Sequence, residues 1–142
     1  MSGPARRGVV AITACLLCVT ACQGRPGLGP PTWVLTPTQL DELALDRTWE
    51  GRRADGTAFA VYTGPDGRQR LRETQDGGTV LTDDGVWSLE GNASCSRWQR
   101  SGGDGKHCVV VAPGGEDGYR AYNPDGSLHA IFRVHAGNPN RL

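Results

Sequence analysis

The sequence predicts a mainly β fold: an antiparallel up-and-down meander of about eight strands behind one short helix, closed as a small barrel or stacked as a two-sheet sandwich. Three observations carry this. From Thr48 onward the pattern has period two, with Phe59 and Val61 alternating with Ala58, Ala60 and Tyr62, and Leu128, Ala130, Phe132 and Val134 alternating with His129, Ile131, Arg133 and His135. Asp-Gly pairs begin at Asp55, Asp66, Asp76, Asp84, Asp104, Asp117 and Asp125, and Gly91-Asn92 fills the one long gap. Such pairs favour tight turns because these positions need positive φ, and no interval between them is long enough for a crossover helix. Finally, Cys95 and Cys108 mirror each other about the Ser101-Gly102 bond, so a hairpin centred there sets them directly opposite, within or near disulfide range.

The chain divides into three parts. Residues 1–21 read as an export signal, because Arg6-Arg7 precede an apolar run from Gly8 to Val19. That run is too short to span a bilayer and has the length of a secretory h-region. Residues 22–35, rich in Gly and Pro, form a flexible tether. The β-domain occupies residues 36–142. It opens with a helix of about two turns, N-capped by Thr36 with Pro37 at the first helical position, whose Leu40, Leu43 and Ala44 form an apolar face. The expected dock for that face is one open end of the β-structure. Strands follow near 47–53, 57–63, 68–74, 84–90, 93–100, 106–112, 118–123 and 128–135. Of the two Trp in the central strands, one is expected in the core and the other partly outside.

Composition leaves a lean core, since the 142 residues include only nine aromatics, four of them Trp, against 21 Gly and 9 Pro. Charge is balanced at 15 basic and 15 acidic residues, and loss of Arg6 and Arg7 with the signal leaves a net −2. A nucleic-acid binder shows a clustered basic excess, so nucleic acid is not an expected partner.

Val19-Thr20-Ala21-Cys22 resembles the lipobox of bacterial lipoproteins. The resemblance implies a diacylglycerol on the Cys22 thiol, cleavage before Cys22 and acylation of the new N-terminus. Gln23 replaces the Asp that often retains such proteins in the inner membrane, so the periplasmic face of the outer membrane is the expected location. Of the five Cys, Cys15 and Cys18 leave with the signal and Cys22 takes lipid, so Cys95 and Cys108 remain for one disulfide. A zinc site is the alternative, for which only His107 is near.

The domain is also similar to an uncharacterised family of small exported bacterial β-domains. The matching residues are Leu40 to Leu43, Tyr62 to Gly67, Gly85 to Trp87, Cys95 to Trp98, Cys108 and Gly137-Asn138-Pro139. Asp46 stands where that pattern has Gly. The resemblance implies fold and compartment and carries no catalytic residues.

Few residues announce chemistry. No hydrolase, zinc-protease or dinucleotide motif is present, and the Asp residues do not form a calcium array. His129 and His135 point the same way but about 20 Å apart, too far to share a metal, and His107 meets either only through a fold-back. Neither a metal nor a cofactor is expected. Arg68, Arg70 and Arg72 share one face of the third strand and form the one suggestive array, a candidate contact for an anionic glycan, lipid or envelope protein. The expected function is a non-enzymatic binding or structural module of the cell envelope, held to the membrane through Cys22. A lipocalin-like carrier of a small apolar ligand is the alternative, and an enzyme of unknown type is third.

Overall fold

A computed structural model describes residues 31–100 and 105–142. The signal and Cys22 lie outside the described residues. The chain runs α1 (Pro37–Ala44), β1 (Arg47–Arg53), β2 (Ala58–Thr63), β3 (Arg68–Thr74), β4 (Val80–Glu90), β5 (Ala93–Trp98), β6 (Lys106–Pro113), a 3-10 turn (Gly115–Asp117), β7 (Tyr119–Tyr122) and β8 (Leu128–Ala136). Every strand pairs antiparallel with the next, and β8 returns to pair with β1. The meander is therefore a closed barrel and not a sandwich. Closure leaves no unpaired edge, which a lean domain exposed to other chains needs.

The Asp-Gly turns work as their chemistry demands. In three hairpins the Asp carboxylate accepts from the backbone N–H two residues on: Asp55 from Thr57 at 2.9 Å, Asp66 from Arg68 at 3.1 Å and Asp125 from Ser127 at 2.9 Å. The following Gly takes φ of +93°, +80° and +83°. Asp84-Gly85 is the correction: β4 begins at Val80, so this pair lies inside a strand and makes no turn. Gly85 has another task. It sits opposite Trp98, and a Cβ there would lie 2.5 Å from the indole Cε3 and 2.7 Å from the Arg97 carbonyl oxygen. The missing side chain makes room for an inward Trp.

The helix forms and docks as its pattern requires. Thr36 caps it in a reciprocal box with Gln39, Pro37 opens it, and Leu40 and Ala44 are buried. Trp49 on β1 donates its indole N–H to the Leu43 carbonyl at 2.8 Å, pinning the helix across one barrel end. Just upstream, the Leu35 N–H donates to the Val111 carbonyl at 2.7 Å, so the chain arrives at this same end. Asp46 takes the left-handed φ of +54° that makes Gly the expected residue there. Its carboxylate accepts from the Tyr62 hydroxyl at 3.1 Å, holding the exit from helix to strand.

Inside, Leu35, Leu40, Val109, Val111, Ala121, Ala130 and Phe132 form the buried cluster. Trp49 stacks on Phe132 at 4.3 Å between centroids, and Tyr119 does so at 5.7 Å. Trp87 and Trp98 both face the interior, so the expected division of one inside and one outside does not hold. The register explains this: Gly85 opposes Trp98 and Trp87 opposes Ser96, and directly opposed residues share a face. Cys95 opposes Cys108 on the outer face, and the two are joined by a disulfide.

Candidate functional site: the open mouth of the barrel

The two barrel ends differ. One holds α1, while the other is framed by the hairpins joining β1 to β2, β3 to β4 and β7 to β8, with the end of β5 and the start of β6 between them. At this second end four polar side chains converge. Arg53, the last residue of β1, pairs with Glu73 of β3 through one guanidinium nitrogen and donates from the other to His129 Nε2 at 3.0 Å. Since guanidinium nitrogens only donate, His129 Nε2 is the acceptor and its proton sits on Nδ1. The His129 ring packs against His107 at 4.5 Å between centroids, and Arg53 also lies over the Phe59 ring at 5.6 Å.

A β-bulge builds the His pair. Ala121 pairs with Ala130 while Tyr122 pairs with Leu128, leaving His129 as an extra residue on β8. The two residues of a bulge oppose one on the partner strand, which re-aims a side chain. His129 thus turns inward against His107, contrary to strict alternation. His135 keeps its outward position, 3.7 Å from Glu50, so the expectation that His129 and His135 point the same way is corrected.

Electrostatics keep the pair neutral. Burial, then His107 and Arg53, push His129 down from its ordinary 6.5 to about 4, with Asp55 opposing. Burial and then Arg53 also lower His107. Because the folded His129 resists protonation, the unfolded chain takes up its proton first, and stability falls as pH drops from about 6.5 to about 4. The ring is partly exposed, so solvent screening limits the loss to about 1–2 kcal/mol. Urea midpoints at pH 7 and pH 4.5 should show this loss, and His129→Gln, which still accepts from Arg53, should reduce it by more than half.

Below the mouth lies a cavity of about 70 Å³, reaching from Arg53, His107 and His129 down to Ala44, Thr63 and Gln69. Its walls include Trp49, Phe59, Trp87 and Trp98. Trp87 donates its indole N–H to Ser94 Oγ at 2.9 Å, and Gln69 Nε2 donates to Thr63 Oγ1 at 3.0 Å. Gln69 is 5% exposed, and its Oε1 has no donor among the described residues.

The Arg stripe lies elsewhere. Arg68 and Arg70 point outward from β3 and face acids, Arg68 with Asp66 at 3.5 Å and Arg70 with Asp84 at 3.8 Å, while Arg72 is half-buried. The stripe shares no side chain with the mouth. The grouping of His, Cys, Asp and Glu close enough for a metal among the described residues is Glu90 with Cys95 and Cys108, whose sulfurs are already bonded to each other. Among the described residues no helix is long and apolar enough to cross a membrane.

Sequence reasoning missed Arg53 and Glu73. A usable signal existed, since alternation from Trp49 through Gly51 carries Arg53 inward, and Glu73 shares a face with Gln69 and Leu71. No family model, curated protein or solved structure matches the chain.

Proposed function

We propose that this protein is a lipid-anchored, non-enzymatic binding module of the bacterial cell envelope, tethered through Cys22 and engaging its ligand at the open barrel mouth. The observation that carries this reading is the inequality of the two ends. Leu35, the bonded residue just before α1, lies at the end that α1 closes, and the convergent Arg53, Glu73, His107 and His129 occupy the opposite end. An anchored domain therefore presents its polar mouth away from its tether. Trp33, 63% exposed within the stretch that precedes α1, adds an uncovered aromatic of the kind that marks contact surfaces.

The geometry favours this over the carrier, because small-molecule sites usually measure about 300–1,000 Å³ and the barrel encloses about 70 Å³. The His pair in contact is the observation that favours an enzyme. Against it, the His129 lone pair is occupied by Arg53, and Glu73, the carboxylate beside it, is committed to the same Arg. Resemblance to the exported β-domains supports the compartment, and the Arg68, Arg70 and Arg72 stripe is retained as a secondary contact for an anionic envelope glycan or lipid.

The anchor is tested by mass spectrometry of the mature protein from fractionated membranes. The expected product begins at Cys22 and carries acyl chains, with two or more giving a stable anchor. An unmodified Cys22 or Gln23 terminus in the soluble fraction would refute the anchored reading.

A further inference from the structure

We propose that the barrel cavity is a recognition slot for a primary carboxamide on a slender stem, an inference that rests on the mouth being the binding end. The cavity floor supplies the argument. Gln69 Oε1 is a buried acceptor with no donor among the described residues, while its Nε2 is committed to Thr63 Oγ1. A buried acceptor left unpaired is costly, so a ligand that brings an N–H there gains what the empty slot forfeits. Thr63 Oγ1 accepts from Gln69 and has its own proton to give. A primary carboxamide answers both groups, its N–H to Gln69 and its C=O to Thr63.

Size and charge narrow the class. A cavity of about 150 Å³ holds the six carbons of benzene, so one of about 70 Å³ holds about three heavy atoms, the count of a carboxamide group. The Trp87 and Trp98 walls suit a flat group. Among the described residues a cation would find no carboxylate in the lining, and an anion would find no cation at the floor, Arg53 being at the mouth and paired with Glu73. A neutral donor-bearing group is what remains. A stem leaving the cavity passes Arg53 and Glu73, which offer one positive and one negative partner to whatever carries the amide.

The test uses the full chain with ¹⁵N-labelled indoles, titrated with acetamide, N,N-dimethylacetamide and acetone. Acetamide should shift the Trp87 and Trp98 indole signals saturably in the millimolar range, as expected for about four heavy atoms, and the two molecules without an N–H should bind at least tenfold more weakly. Gln69→Leu should abolish the acetamide shift. If that variant fails to fold, the ligand series alone decides. Equal shifts from all three probes, or none from acetamide because the slot holds only water, would overturn the proposal. L-Glutamine and a Gln-bearing peptide then distinguish the source, the carrier of choice binding at least tenfold more tightly than acetamide. Failure of every amide leaves the mouth as a contact surface intact, since that reading is measured in the envelope with a different probe.

Discussion

Phe132→Ala is expected to destabilise the domain by about 3–5 kcal/mol, the usual cost of emptying an aromatic site in a core. Phe132 is 2% exposed and sits between the Trp49 and Tyr119 rings, so its loss removes two stacking partners as well as apolar burial. The chain has only two Phe, and Trp49 can swing into the gap only by releasing the Leu43 carbonyl. Against a typical total of about 5–15 kcal/mol, the variant should be marginal at 37 °C. Equilibrium urea unfolding checks this. A change below about 1 kcal/mol would show that the core is elsewhere.

Removing the disulfide has the next largest effect. Cys95 and Cys108 are 13 residues apart, and opening a loop of that length costs about 3 kcal/mol in the chain-entropy model. The double variant Cys95→Ala, Cys108→Ala should melt about 12 °C or more below the parent, as a domain near 100 residues shifts by roughly 4–8 °C per kcal/mol. Thermal unfolding followed by circular dichroism measures it. An unchanged midpoint would mean the bridge adds nothing that strand pairing does not already supply.

Both effects fall on features that the sequence shows. The mirror positions of Cys95 and Cys108 are copied in the register of β5 and β6, because a symmetric hairpin fixes every cross-strand pair once its centre is known. Phe132 was legible from the alternation of β8. Helix start, strand order and most turns follow from local chemistry, whereas the sequence leaves barrel and sandwich open and the β1–β8 pairing decides for the barrel. What stayed hidden depends on departures from regularity. His129 faces inward only because β8 carries one extra residue opposite β7, and neither the Asp125 turn nor the strand pattern marks where a bulge falls. The strand pattern starts β4 at residue 84 where it begins at Val80, for a similar reason: Asp84-Gly85 reads as a turn locally, yet Gly85 accommodates Trp98 from a neighbouring strand. Burial at one site set by a residue on another strand has no local signature. The Gln69–Thr63 contact could be placed on a shared face from alternation, but the unpaired oxygen follows from the cavity alone.

Function was less legible still. The mouth joins Arg53, Glu73, His107 and His129 from four strands, none of them in a motif, and their meeting is a property of the closed barrel. The Arg68, Arg70 and Arg72 array, conspicuous in the sequence, has its charge partly offset by Asp66 and Asp84, whose positions follow from the β3 hairpin and the β4 register.

The most direct test of an envelope module that binds through its mouth is site-specific photocrosslinking in intact cells. A crosslinking residue is placed at Thr57 on the mouth, at Gln39 on the helix end or at Arg70 on the outer wall. Discrete adducts are expected from Thr57, lost on Arg53→Ala, with neither Gln39 nor Arg70 giving the same adduct. Adducts from Gln39 or Arg70 and none from Thr57 would contradict it.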